Sequence, residues 1–295
     1  MRAKLCLALL ATAVTAAPAR AADWTKVAEA LGKPGAEMPG GVYRVGLPRT
    51  DLQVSLDGVQ IKPVLALGSW LAFQPMGGDV TVMGDLVLTA EEVNPVMKKL
   101  VEGGLEITAL HNHLLRAQPA TFYMHVGGHG DPVRLAAALH DGLALSKTPM
   151  GSAAPAASAD PPAPFDLDTA MIDRVLGAKG RVNGGVYQVG IRRAEPVRDG
   201  SMDVPESMGS AQALNMQPTG GGRMAITGDF VLIAAEVNPV VRELRAHGIE
   251  VTAIHNHMLD DEPRLVFMHF WANDDAEKLA TGLRAALDKI NLARS

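Results

Sequence analysis

An α+β fold built twice in tandem is what this 295-residue sequence predicts, and three observations lead there. The first is duplication. Gly40-Gly41-Val42-Tyr43 recurs as Gly184-Gly185-Val186-Tyr187, and Gly84-Asp85 as Gly228-Asp229. Glu92-Val93-Asn94-Pro95-Val96 recurs as Glu236-Val237-Asn238-Pro239-Val240, and His111-Asn112-His113 as His255-Asn256-His257, always 144 residues later. A repeat of that length is domain-sized, far longer than a solenoid unit. The second observation is that each copy mixes apolar periods of two and of three to four residues, the signatures of strands and helices. The third is a stretch between the copies, residues 149–165, rich in Ala, Pro and Ser and too poor in large apolar side chains to bury a core. The expected architecture is two tandem homologous domains, residues 22–148 and 166–295. Each is a mainly antiparallel sheet with a strand–helix–strand–strand–helix core and helices packed on one face.

The elements follow in order. Trp24, Val27 and Leu31 have helical spacing that stops near Gly32, and residues 167–176 repeat the pattern before Gly177. Residues 42–47 alternate like a strand. Residues 52–75, and 195–218 in the second copy, diverge most; a strand or two and a long loop are expected there. Residues 80–88 and 224–233 read as strands. Asn94-Pro95 and Asn238-Pro239 then suggest an N-cap with proline in the first helical position, where its missing N–H costs nothing. A start at Thr89, with Glu92 completing a capping box, is the alternative, but it leaves Pro95 inside the helix. These helices should end at Gly103 and Gly248. Residues 105–114 and 249–259 are expected as strands, turning at Gln118-Pro119 and Glu262-Pro263 into return strands at 121–126 and 265–271. A last helix carries the stripes Leu135, Leu139, Leu143 and Leu279, Leu283, Leu287.

Residues 1–21 have a basic start, an apolar run from Leu5 to Ala17 and a small-x-small end at Ala19-Arg20-Ala21. That is the pattern of a secretory signal peptide removed near Ala21, and it implies a periplasmic or secreted protein. The single cysteine, Cys6, lies in this stretch, so the mature chain has no disulfide or thiolate site. Losing Arg2, Lys4 and Arg20 moves the formal charge from −5 to about −8. An acidic exported chain has no electrostatic case for nucleic acid, and no later run suits a transmembrane span.

Six of the nine histidines fall in the duplicated pattern: His111, His113 and His125, then His255, His257 and His269. Two histidines two apart on a strand leave the same face, and a hairpin brings the third alongside, opposite or near His111. Three neutral imidazoles converging in this way suit a zinc- or copper-class ion, one site per repeat, with a fourth position open to water. Contact with an organic ligand, or a purely structural role in a packed hairpin, accounts for the same spacing. Glu92 and Glu236 are candidate additional ligands or bases, against the plainer reading that they favour a helix N-terminus. Asp85 and Asp229 read as bulge or turn residues, Asn94 and Asn238 as caps, and His129, His140 and His247 as surface residues. Met124 and Met268, next to the third histidines, belong to the core face. No phosphate loop, nucleophile elbow or dinucleotide fingerprint occurs, so the sequence names neither a nucleophile nor a substrate.

With G-G-V-Y, E-V-N-P-V, the H-N-H strand and the closing Phe267 to Asp275 segment (F-M-H-F-W-A-N-D-D), the chain resembles the exported family of unknown function named for the mycobacterial lipoproteins LppY and LpqO. The resemblance covers both repeats. It implies an exported protein and brings no established activity, substrate or catalytic residue. The lipobox cysteine of the namesakes is missing, which implies a soluble form. Two functions therefore stand side by side: a metal-binding protein, and a non-catalytic module for a small molecule or an envelope protein.

Overall fold

The computed structural model describes residues 22–151 and 165–293; residues 1–21, read above as a signal peptide, and most of the inter-repeat stretch lie outside them. Each repeat forms a six-stranded sheet in which every pairing is antiparallel. In spatial order the first sheet runs Ala36–Met38, Val42–Pro48, Gly68–Met76, Asp79–Leu88, Phe122–Gly130 and Glu106–His111. The second repeats that order with Arg181–Asn183, Val186–Arg192, Ala211–Gly220, Arg223–Ile233, Leu265–Asp275 and Glu250–His255. The strand that follows the long helix thus lies at the sheet edge, with the return strand between it and the centre.

The alternation of side chains assigns the faces. On one face Leu86, Leu88, Met124 and Val126 join Leu100, Leu135, Leu139 and Leu143 in a core roofed by the helices Trp24–Leu31, Ala90–Glu102 and Pro132–Leu143. The second repeat builds the same core with Phe230, Leu232, Met268, Leu279, Leu283 and Leu287 under Thr169–Leu176, Ala234–Ala246 and Ala276–Leu287. Met124 and Met268 sit fully buried there, as the alternation requires. At roughly 1.5–3 kcal/mol per buried large aliphatic side chain, these helix–sheet cores dominate the stability of each repeat.

The other face of each sheet is turned towards the other repeat. Two further cores mix residues of both: Val54, Leu56, Ile61, Leu65 and Tyr123 with Val186, Ala225 and Trp271, and Val42 and Ala72 with Val197, Met202, Val204, Met208 and Phe267. The result is four layers, helices–sheet–sheet–helices, with an approximate twofold relation between the halves. The divergent segments are what cross over. In the first repeat Ser55–Leu56 and Val59–Gln60 make a small hairpin, followed by the helix Pro63–Ala66, which packs on the strands Ala211–Gly220 and Arg223–Ile233 of the second. Its counterpart, with strands Arg198–Asp199 and Met202–Asp203 and the turn Glu206–Met208, supplies apolar residues to the core that holds Val42 and Ala72 of the first. Polar contacts follow the same path. The Gln217 amide accepts from the Lys62 backbone N–H at 2.9 Å and donates to the Gln60 carbonyl at 2.8 Å, and Trp271 Nε1 donates to Asp57 at 3.1 Å.

Two expectations need correction. The long helices begin after Thr89 and Ile233, with Pro95 and Pro239 inside them, so Asn94 and Asn238 are not caps. The earlier start wins because Glu92 and Glu236, in the third helical position, accept from the N–H groups of Thr89 and Ile233, each at 2.9 Å. That early satisfaction, together with burial of the helix face, outweighs the one backbone hydrogen bond lost at the proline. The histidine strands are also shorter than predicted. They stop at His111 and His255, so His113 and His257 lie just beyond the strand end. Leu114, Ala117 and Met258 in the following loops enter the inter-repeat cores, pulling the chain out of the ladder.

Candidate functional site

The six duplicated histidines meet in one place, between the two sheets. His111 and His255, equivalent residues of the two repeats, stack with ring centroids 3.4 Å apart. On either side of them His113 faces His269 at 3.5 Å, and His125 faces His257 at 3.8 Å. These two pairings exchange under the twofold relation, since His113 corresponds to His257 and His125 to His269. The arrangement is that of an isologous interface, here within one chain. The expected histidine triad of each repeat therefore lies against that of the other in a composite cluster, because the histidine-bearing faces of the two sheets are turned towards each other.

The backbone explains the convergence. His125 pairs with Ala109 on one side and Asp85 on the other, and His269 with Ala253 and Asp229. Residues directly opposite in antiparallel strands share a face, so Asp85, His125 and the diagonal His111 point the same way. His111 itself pairs with Tyr123, two residues from the expected register. A bulge leaves Thr108 outside the ladder. Its carbonyl accepts from the Asn256 amide at 3.0 Å and its hydroxyl donates to the His257 carbonyl at 2.5 Å, fixing the H-N-H loop of the second repeat against the first.

Asp85 and Asp229 belong to the site, and the bulge or turn reading of them is corrected. They sit in unbroken stretches of ladder. Asp229 Oδ1 lies 3.6 Å from His269 Nε2 and its Oδ2 3.6 Å from His257 Nε2; Asp85 Oδ1 lies 3.9 Å from His125 Nε2. The glycines before them serve the close approach of strands. A Cβ on Gly84 would meet the Trp70 carbonyl oxygen at 2.8 Å, and one on Gly228 would meet the Ala213 carbonyl oxygen at 1.9 Å. The sequence signal that could have found both acids is the Gly-Asp pair itself, duplicated on the strand next to the third histidine.

Glu92 and Glu236 are used elsewhere. Glu92 accepts from Arg49 at 2.8 and 3.1 Å, from the Thr89 N–H at 2.9 Å and from the Lys147 N–H at 2.8 Å. Glu236 accepts from Arg193 at 2.7 and 3.2 Å and from the Ile233 and Asn291 N–H groups at 2.9 and 3.0 Å. With both oxygens of each spent on buried arginines and backbone, neither serves as a ligand or base of the cluster. Of the unduplicated histidines, His129 is exposed, whereas His140 and His247 are half-buried, their Nδ1 atoms within 2.9 and 2.8 Å of the Leu31 and Glu243 carbonyls at helix ends.

The electrostatics of the cluster are unusual. Burial pushes every one of the six imidazoles down: His111 to about 3 and His255 to about 4, with the others well below their ordinary value. The cluster therefore presents neutral rings. Burial pushes the Asp85 carboxyl up to about 8 against the lowering effect of Arg44, and Asp229 well up too. His269 Nδ1 stands 2.7 Å from the Gly228 carbonyl and His255 Nδ1 3.0 Å from that of Asn256, which assigns the proton to Nδ1 and leaves each Nε2 a bare lone pair. Among the described residues fifteen buried side-chain N or O atoms lack a hydrogen-bond partner, and nine of them belong to these six histidines and two aspartates. Four sets could hold a metal ion, each with ligand atoms within 4.8 Å of one another: His111–His113–His255–His269, His111–His125–His257, Asp85–His113–His125 and Asp229–His257–His269.

Both repeats match one domain-family profile, described as Domain of Unknown Function (DUF1259), over residues 25–145 and 170–289. The chain belongs to this family. It is a DUF1259 protein with the domain in duplicate, and no curated protein matches it. Among solved structures it is distantly similar to a trimeric bacterial microcompartment shell protein, PduB, with 10% identity and a TM-score of 0.22, covering 88% of this chain and 96% of that one. EtuB from Clostridium kluyveri gives 8% identity and a TM-score of 0.19, covering 86% and 90%. Superpositions this loose bear on neither the fold nor the function of the DUF1259 chain.

Proposed function

We propose that this protein binds a zinc- or copper-class metal between its two repeats, with ligands drawn from His111, His113, His125, His255, His257 and His269 and from Asp85 and Asp229. The observation that carries this reading is the set of nine buried, unpaired nitrogen and oxygen atoms turned towards one another. Each unpaired buried polar atom costs about 1–3 kcal/mol, and a fold does not gather nine of them without a ligand that satisfies them. Bare imidazole lone pairs with carboxylates, and no thiolate, are the donor set of zinc, copper and related divalent ions. A cation would also add positive charge beside the buried Asp85 and half-buried Asp229 carboxyls. An organic ligand is disfavoured, because the cross-repeat rings already touch at 3.4–3.8 Å. The named groups offer ligands and no nucleophile, so no reaction is assigned. Among the described residues no helix is long and apolar enough to cross a membrane. The basic, apolar and small-residue order of residues 1–21 supports export to the periplasm or beyond, and the shared motifs support kinship with the LppY/LpqO type.

Metal analysis of untagged protein tests the proposal. Stoichiometric metal is expected in the wild type, and its loss in the double variant His111→Ala/His255→Ala. A folded wild type that takes up no metal overturns the reading in favour of a non-catalytic binding module.

A further inference from the structure

The cluster differs on its two sides. Beside His125 and His257 lies a cavity of about 10 Å³, lined also by Trp70, Met83, Met208 and Met258, which is room for about one water molecule. Both histidines are more than nine-tenths buried, and the Nε2 atom of each is unpartnered. With His111 they form the three-histidine set, whereas the other inter-repeat set has four histidines. His111 has both ring nitrogens buried and unpaired, so it can serve either side without a ring flip. On the other side, where His113 replaces His257, Leu114 stands in place of Met258. An aromatic ring covers the histidine on both sides, Tyr123 on His113 at 3.4 Å and Phe267 on His257 at 3.5 Å, but only Tyr123 carries a hydroxyl, which donates to the Ala66 carbonyl at 2.7 Å.

Three protein ligands with space for one small molecule is the arrangement of an open metal site, and four ligands that of a closed one. We infer that an ion held by His111, His125 and His257 keeps an open coordination position facing this cavity, and that the position takes an exogenous ligand of water size: water, hydroxide or a small anion. The inference rests on the metal reading above. It adds that the centre is accessible to small ligands on one side only, and that Met208 and Met258 set the size limit.

Azide on the copper(II)-loaded, untagged chain is the test, with metal content measured on the same samples. A saturable azide-to-copper charge-transfer band is expected in the wild type. In Met208→Phe and Met258→Phe, which fill the cavity, azide affinity should fall at least tenfold at unchanged metal content. Leu114→Phe, at the corresponding place on the closed side, should bind azide as the wild type does. Metal-loaded wild type without an azide band overturns this inference and leaves metal binding intact, as does a thioether-to-copper band before azide is added. Undiminished azide binding in both cavity-filling variants also overturns it. Failure of the wild type to load copper or any other metal overturns both readings.

Discussion

Asp85 and His125 face each other across a strand pair, and burial moves them in opposite directions: the acid towards its protonated form, the imidazole towards its neutral one. The consequence for the metal-free protein can be worked out with its sign. The unfolded histidines take up protons near 6.5, whereas folded His111 and His255 do so only near 3 and 4 and burial holds the other four well below their ordinary value. Between about pH 4 and 6.5 the unfolded state therefore binds more protons at six sites, and stability rises with pH. Asp85 and Asp229 act oppositely, because their folded forms hold protons above the ordinary 3.8, up to about 8 for Asp85. Six histidines outweigh two acids below pH 6.5, and above it only the acids act. Urea unfolding of the metal-stripped chain should show maximal stability near pH 6.5 and a decline towards pH 8; a bound cation should remove that decline by stabilising the carboxylates. The histidines were legible in the sequence because duplication singled them out. The aspartates were duplicated too, but duplication alone did not give their role, which depends on the strand that lies beside theirs, and pairing across some 40 residues is not written in local spacing.

At the level of elements, the helix Ala90–Glu102 shows how a local signal can mislead. Asn94-Pro95 is a fair start signal in isolation, but Glu92 ties the helix start to a buried arginine. Arg49 is 0% exposed and bonds Glu92, Asp51 and the Val87 carbonyl. The second repeat copies the motif with Arg193, Glu195, Glu236 and the Val231 carbonyl. Val87 and Val231 lie two residues from Asp85 and Asp229, so this pair anchors the strand that carries the acid. Glu92→Gln leaves a buried guanidinium short of its partner and should cost about 3–5 kcal/mol in denaturant unfolding. Metal content of the folded variant should stay at the wild-type level, which separates this anchoring role from that of a ligand. The strand–helix–strand–strand–helix order and the core stripes were readable from periodicity, since each repeat satisfies those faces within itself.

At the scale of the whole molecule, the least readable segments are the ones that make the two repeats one structure. The hairpin and short helix around residues 55–66 have no alternation suited to their own sheet, because their apolar side chains pack on Val186, Ala225 and Trp271 of the other repeat. A reading that treats the repeats as independent tethered domains gives such a segment no partner. It also considers only the donors within each repeat, where the face-to-face sheets bring the histidines of both together. Leu65 is 1% exposed within this inter-repeat core. Leu65→Ala should destabilise the chain by about 2–5 kcal/mol, read by urea unfolding, and should weaken metal binding although no ligand has been touched.

The shared centre is tested most directly by locating the ion. X-ray absorption or anomalous diffraction at the metal edge, on metal-loaded untagged protein, should place an ion about 2.0–2.1 Å from imidazole nitrogens. Those nitrogens should come from both repeats, with His111 among them. An ion held by the residues of one repeat alone, or a loaded crystal with no ion at the cluster, would contradict the account.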